Sequence, residues 1–87
     1  MNTLFLLMAQ YNAAVVPLER VCADYFGMKP ETFLRKVLAG EIALPVVRMD
    51  DSQKCAKGIH VADLAAYLDR RHEAARKECE QLKRDAA

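Results

Sequence analysis

Two short amphipathic segments, each opened by a proline (Pro17, Pro30) and closed by a glycine (Gly27, Gly40), are separated by a turn of three or four residues and define the middle of the chain. Pro17 suits a first helical turn, where its missing N–H has no intrahelical partner and its φ is already set. Leu18, Val21, Cys22 and Tyr25 then recur at i, i+3, i+4 and i+7, which gathers them on one face. Glu19, Arg20, Ala23 and Asp24 fall on the other side. Gly27 can take the positive φ that ends a helix, so the spacing predicts a helix over residues 17–26. Pro30 restarts helix, Glu31 favours the positive end of its dipole, and Phe33, Leu34, Val37 and Leu38 repeat the apolar spacing until Gly40. Two short helices joined by so tight a turn form a helix-turn-helix pattern.

The flanking segments read differently. Val46-Val47-Arg48-Met49 is rich in β-branched residues, residues 50–57 are polar, and Gly58-Ile59-His60 is extended again. Together they predict a β-hairpin with a long tip, which beside a helix-turn-helix is a wing. From Val61 the chain is helical for more than twenty residues, with no glycine or proline to interrupt it. Val61, Ala65, Leu68, His72, Ala75, Cys79 and Leu82 advance in steps of four and three, a heptad seam flanked by the favourable pairs Glu73–Lys77 and Glu80–Arg84. At the other end, Leu4 to Tyr11 is an almost continuous apolar run and predicts a strand buried on both faces. A turn at Asn12-Ala13-Ala14 would return it through Val15-Val16, and its free edge would attract a strand from another chain.

Eighty-seven residues make one domain, 1–87, with a modest core. Thirteen Lys and Arg against twelve Asp and Glu leave +1, so bulk charge offers no argument for nucleic acid. Any basic surface must come from arrangement; no charged side chain precedes Pro17. The three cysteines, Cys22, Cys55 and Cys79, are odd in number and far apart, which fits a reducing compartment, and with His60 and His72 they lack the close pair of a zinc site. The run Leu4–Ala9 has no basic residue before it and is too short to span a bilayer, so the expected location is the cytoplasm with no membrane contact. No glycine-rich phosphate loop is present, Ser52 is the only serine, and His60 and His72 have no nucleophile at a telling spacing. Neither an enzyme nor a cofactor is expected.

Binding chemistry concentrates on the second short helix. In a helix-turn-helix the second helix enters the major groove. Opposite its apolar face lie Glu31, Thr32, Arg35 and Lys36. Arg35 suits guanine or phosphate, and Thr32 suits a thymine methyl or a phosphate. Lys29 stands beside the helix N-terminus, itself a phosphate site. Arg48, Lys54 and Lys57 fall in the hairpin, where a wing tracks neighbouring phosphates, although Asp50 and Asp51 enter the same hairpin. The long helix, 61–84, supplies a dimerisation element through Leu68, His72, Ala75, Cys79 and Leu82, while its first turns pack on the domain's own core.

These residues carry a resemblance. Pro17-Leu18-Glu19-Arg20-Val21, Pro30-Glu31-Thr32-Phe33-Leu34-Arg35-Lys36-Val37, Gly40-Glu41-Ile42 and Leu44-Pro45-Val46-Val47-Arg48-Met49 resemble the pyocin activator protein family. So do Phe5-Leu6-Leu7-Met8-Ala9-Gln10-Tyr11, Asp51-Ser52-Gln53-Lys54, Gly58-Ile59-His60-Val61 and Asp63-Leu64-Ala65, which extends the likeness over nearly the whole chain. More loosely, residues 16–68 resemble the winged helices of phage excisionases and MerR-type regulators. The expected fold class is therefore α+β, an excisionase- or MerR-like winged helix-turn-helix with an N-terminal strand and a long C-terminal helix. The resemblance implies a bacterial, often prophage-associated, transcriptional activator that binds DNA upstream of phage-tail-like bacteriocin genes. Double-stranded DNA, a second copy of the chain and RNA polymerase are the partners this reading carries. An excisionase-like protein that bends DNA, and a protein-interaction module such as an antirepressor, are the alternatives; the near-neutral charge favours the second of these.

Overall fold

A computed structural model describes residues 2–86. Its elements run α1 (Thr3–Tyr11), β1 (Val15–Pro17), α2 (Leu18–Val21), which continues as a π turn (Cys22–Phe26), α3 (Pro30–Leu38), β2 (Val47–Arg48), β3 (Lys57–His60) and α4 (Val61–Ala86). The described residues thus form an α+β domain of four helices and one small antiparallel sheet, ordered β1-β3-β2. The paired helices, the hairpin and the long helix stand where the sequence pattern puts them.

The first element corrects the sequence reading. Leu4 to Tyr11 is helix, not a doubly buried strand. A short apolar run carries no period of its own, so its ends decide. The Asn2 side chain accepts the Phe5 N–H at 2.9 Å, and Asn12 takes a left-handed conformation (φ 51°) while donating to the Met8 carbonyl. Both caps satisfy helix-end groups that a strand would leave to a neighbour. The run also contains no β-branched residue between Leu4 and Tyr11, and Leu, Met and Ala are strong helix formers. Only one side of α1 is covered: Leu7 and Tyr11 are buried, whereas Phe5 and Leu6 are 62% and 54% exposed. The free strand edge expected there does not exist.

The sheet has a third strand that pairs across a long sequence interval. Val16 faces Ile59 and Pro17 faces Gly58 on one side of β3, and Val47 faces Gly58 on the other. Gly58 therefore lies between two strands. A Cβ there would stand 2.6 Å from Val15 Cγ1 and 2.7 Å from the Val16 carbonyl oxygen, so only glycine admits this approach.

The core is formed by Val16, Val21, Cys22, Phe33, Ile59 and Leu64, all essentially without exposure, with Leu7, Leu18, Ile42, Leu44, Val61 and Ala65 around them. Phe26 meets Phe33 edge-on at 4.9 Å between centroids and Tyr67 at 5.6 Å, joining the π turn, α3 and α4. The first turns of α4 belong to this core through Val61, Leu64 and Ala65, with Tyr67 and Leu68 half-buried. From Asp69 to Ala86 every residue is exposed. At about 1.5 Å per residue the 26-residue helix is roughly 39 Å long, and it accounts for most of the 54 Å long axis of the domain. No described helix is long and apolar enough to cross a membrane.

Candidate nucleic-acid interface

Burial of Phe33 sets the rotation of α3. At about 100° per residue, Arg35 and Glu31 point roughly 160° away from Phe33, and both are exposed. Thr32 and Lys36 share one flank and are half-exposed, while Leu34 and Val37 take the opposite flank and pack on the core. Leu38 departs from the expected apolar face: it is 81% exposed. Five residues beyond Phe33 the helix has turned about 140° past it, which carries Leu38 to the side of Arg35 rather than into the core. None of Thr32, Arg35 or Lys36 is enclosed.

Both ends of α3 are fixed by the backbone. Lys29 is extended at the N-cap (φ −72°, ψ 150°) with its side chain exposed, and Pro30 follows as the first helical residue. At the far end the Gly40 N–H donates to the Val37 carbonyl at 3.0 Å and the Glu41 N–H to the Lys36 carbonyl at 2.9 Å, with Gly40 at φ 79°. This paired closure satisfies the last carbonyls and turns the chain away sharply. The link that follows is anchored by buried Ile42 and Leu44, and Arg70 Nη2 on α4 donates to the Ala43 carbonyl at 3.3 Å. The turn before α3 is held as well: the Gly27 N–H donates to the Cys22 carbonyl at 2.7 Å and Gly27 adopts φ 61°.

The hairpin separates its cations into two groups. Arg48 and Lys54 are exposed. Lys57 is half-buried, and its Nζ donates to the Gln53 carbonyl at 2.7 Å and the Cys55 carbonyl at 3.2 Å, so this ammonium braces the hairpin tip. Turn chemistry also accounts for Asp50. Its Oδ1 accepts the Ser52 N–H at 2.6 Å, and Ser52 Oγ accepts the Lys54 N–H at 3.1 Å. Asp50 is thus directed into the loop by an Asx-type turn, whereas Asp51 is exposed.

The chain's matched segment decides its kinship: the family model for pyocin activator protein PrtN matches residues 3–75. The chain belongs to the pyocin activator protein PrtN family. Neither a curated protein nor a solved structure matches it. For a member of the PrtN family the expected class is a regulator of pyocin genes, an activator rather than an enzyme family. The matched span takes in α1, the whole sheet, α3 and the first half of α4.

Several positioning contacts in this family member carry no short-range signal. Tyr11 Oη donates to Asp24 Oδ2 at 2.6 Å, the Arg20 guanidinium lies 4.7 Å from the Tyr11 ring centroid, and Tyr25 Oη donates to Gln10 Oε1 at 3.1 Å. These contacts tie α1 to α2 and the π turn, and hence to the support under α3. Burial, reinforced by the bond to Asp24, raises the Tyr11 phenol above its ordinary range. Burial likewise raises the Cys22 thiol. His60 Nδ1 accepts the Ala62 N–H at 3.0 Å and so caps α4. The apolar groove beside it, about 420 Å³ and lined by Leu4, Met8, Asn12, His60 and Val61, is remote in sequence from the basic residues of α3. His72 and Cys79 are exposed on α4, Cys55 is half-buried, and among the described residues no three metal-ligating side chains cluster.

Proposed function

We propose that this chain is a sequence-specific DNA-binding activator of pyocin or prophage genes, built as a winged helix-turn-helix. α2 with its π turn is the supporting helix, α3 the recognition helix, and the β2–β3 hairpin the wing. One observation carries the reading: a helix whose Phe33 is wholly buried turns Arg35 outward, flanked by Thr32 and Lys36, with both helix ends fixed by backbone bonds. Such rigidity holds side chains in register with base edges. Family membership supports the regulatory role.

Lys29, Arg35, Lys36, Arg48 and Lys54 are the cations left free for phosphates or bases, with Lys57 occupied by the loop. If all five neutralise phosphates, log affinity falls against log salt with a slope near about −4.5 per protomer. Arg35→Glu and Lys36→Glu are expected to weaken binding to DNA upstream of pyocin genes by roughly tenfold or more each and to flatten that slope. Fluorescence anisotropy across a salt series measures both. Unchanged affinity and slope in both variants would overturn the assignment.

A second reading has its own support. Net charge is only +1, and Leu38 and Met49 expose apolar surface at 81% and 56%, which suits a protein partner. Capture of a protein partner that persists after nuclease treatment, with no DNA shift by the wild type, would favour it. The excisionase-like role is separated from activation by circular-permutation gel mobility and by prophage excision in a deletion strain.

A further inference from the structure

The exposed half of α4 carries an ordered charge pattern along the two flanks of its seam. With Leu68, Ala75 and Leu82 as one seam position and His72 and Cys79 as the other, two stripes flank the seam. One holds Asp69, Arg76 and Lys83; the other holds Arg71, Glu78 and Asp85. Each stripe changes sign along the helix, and the two change in opposite senses. Arg71 has only Tyr67, Leu68, Ala74 and Ala75 at helical neighbour spacings, and Glu78 has Ala74, Ala75, Gln81 and Leu82. Neither charge therefore has an intrahelical partner.

We propose that the exposed half of α4 pairs with the same segment of a second copy, antiparallel, about a two-fold axis. Charge complementarity sets the direction. In a parallel, in-register pair, Arg71 of one copy faces Arg76 of the other, a like-charge contact made twice that cancels the Glu78–Lys83 attraction, also made twice. Antiparallel pairing of 69–86 with itself brings the basic start of the second stripe against its acidic end, so Arg71 meets Asp85 twice while Glu78 faces its own copy at the axis. It also brings Asp69 against Lys83 twice, with Arg76 facing its own copy, so four attractive contacts stand against two like-charge ones, where the parallel pair has two of each.

The fold already shows α4 accepting a helix in this sense. Thr3, at the start of α1, donates to Asp69, while the Ala14 carbonyl just after α1 accepts the Val61 N–H at 2.9 Å. α1 therefore runs antiparallel along residues 61–69 and stops where the exposed stretch begins. A second α4 laid along 69–86 continues that line, with its last turn meeting the start of α1 at Thr3. The pairing also covers Leu82, which is 62% exposed. Helices in proteins draw most of their stability from packing an apolar face, and burying the seam supplies that packing to the exposed half. The proposal is independent of DNA binding.

Sedimentation equilibrium of the full chain without DNA tests it. The wild type is expected to be a dimer at micromolar concentration. Arg71→Glu places like charges in two symmetric contacts and is expected to weaken the dimer on the order of tenfold. The triple variant Arg71→Glu, Glu78→Lys, Asp85→Lys reverses the whole stripe and is expected to restore it. A parallel dimer gives the opposite sign, with Arg71→Glu tightening the pair by removing the Arg71–Arg76 contact. Tightening or no change in Arg71→Glu, no recovery in the triple variant, or a wild type that stays monomeric at high micromolar concentration overturns the proposal. Circular dichroism of each variant reports folding separately.

Discussion

Substitution of Gly58 by alanine tests how the sheet positions the hairpin. The added Cβ would stand 2.6 Å from Val15 Cγ1 and 2.7 Å from the Val16 carbonyl oxygen, against an ordinary separation of about 3.5–4.0 Å. Val15 can yield by moving a methyl group. Val16 cannot, because its backbone is held in register opposite Ile59 and its side chain is wholly buried. Overpacking of this kind costs about 1–3 kcal/mol, offset by about 0.4–1 kcal/mol because alanine restricts the unfolded chain. A net loss near about 1.5 kcal/mol corresponds to a fall in Tm of roughly 6–12 °C for a domain of this size. Thermal and urea denaturation followed by circular dichroism measure it, with Val15→Ala and the double variant completing a cycle. The double variant is expected to recover only the part of the loss owed to Val15. A Gly58→Ala Tm within about 2 °C of wild type, or full recovery in the double variant, would refute the claim that strand backbone contact requires glycine here.

Two further outcomes follow from the core. Phe33→Ala removes a side chain with no exposure that meets Phe26 edge-on, so it is expected to cost about 3–5 kcal/mol, and Phe33→Leu visibly less; urea midpoints that fail to order the two variants this way would contradict the role given to Phe33. The Tyr11 phenol is raised above its ordinary value of 10.0, first by burial and then by its bond to Asp24, so the folded state resists its ionisation. Its contribution is fully present below about pH 10 and is lost as pH rises further, so Tyr11→Phe is expected to show a shallower fall in stability between about pH 9 and 11.5 than wild type. Parallel pH profiles of the two proteins would remove this assignment.

How much of the domain is legible in the chain depends on the range of the interactions involved. The α2–α3 pair is visible because proline, glycine and apolar spacing act within a turn or two, and the outward direction of Arg35 follows from the same count. Local counting misjudged Leu38, since the core reaches only as far along α3 as Phe33 and Val37 require. Lys57 looks like a free hairpin cation in sequence, yet the loop closes on it through backbone carbonyls that no residue pattern encodes.

Local signals alone determined α2, α3, the hairpin and the uninterrupted run of α4, because caps, breakers and periodicity are properties of neighbouring residues. Tertiary contact decided the rest. An apolar run such as Leu4–Tyr11 satisfies its backbone equally well in a sheet or a helix until its caps and its packing surface are known, and here α4 offers it a helix-sized seat. The pairing of β1 with β3 and the demand for glycine at 58 arise between segments some forty residues apart, about the length of the entire helical pair and hairpin. A separation that long leaves no trace in local spacing, so only the folded chain reveals it.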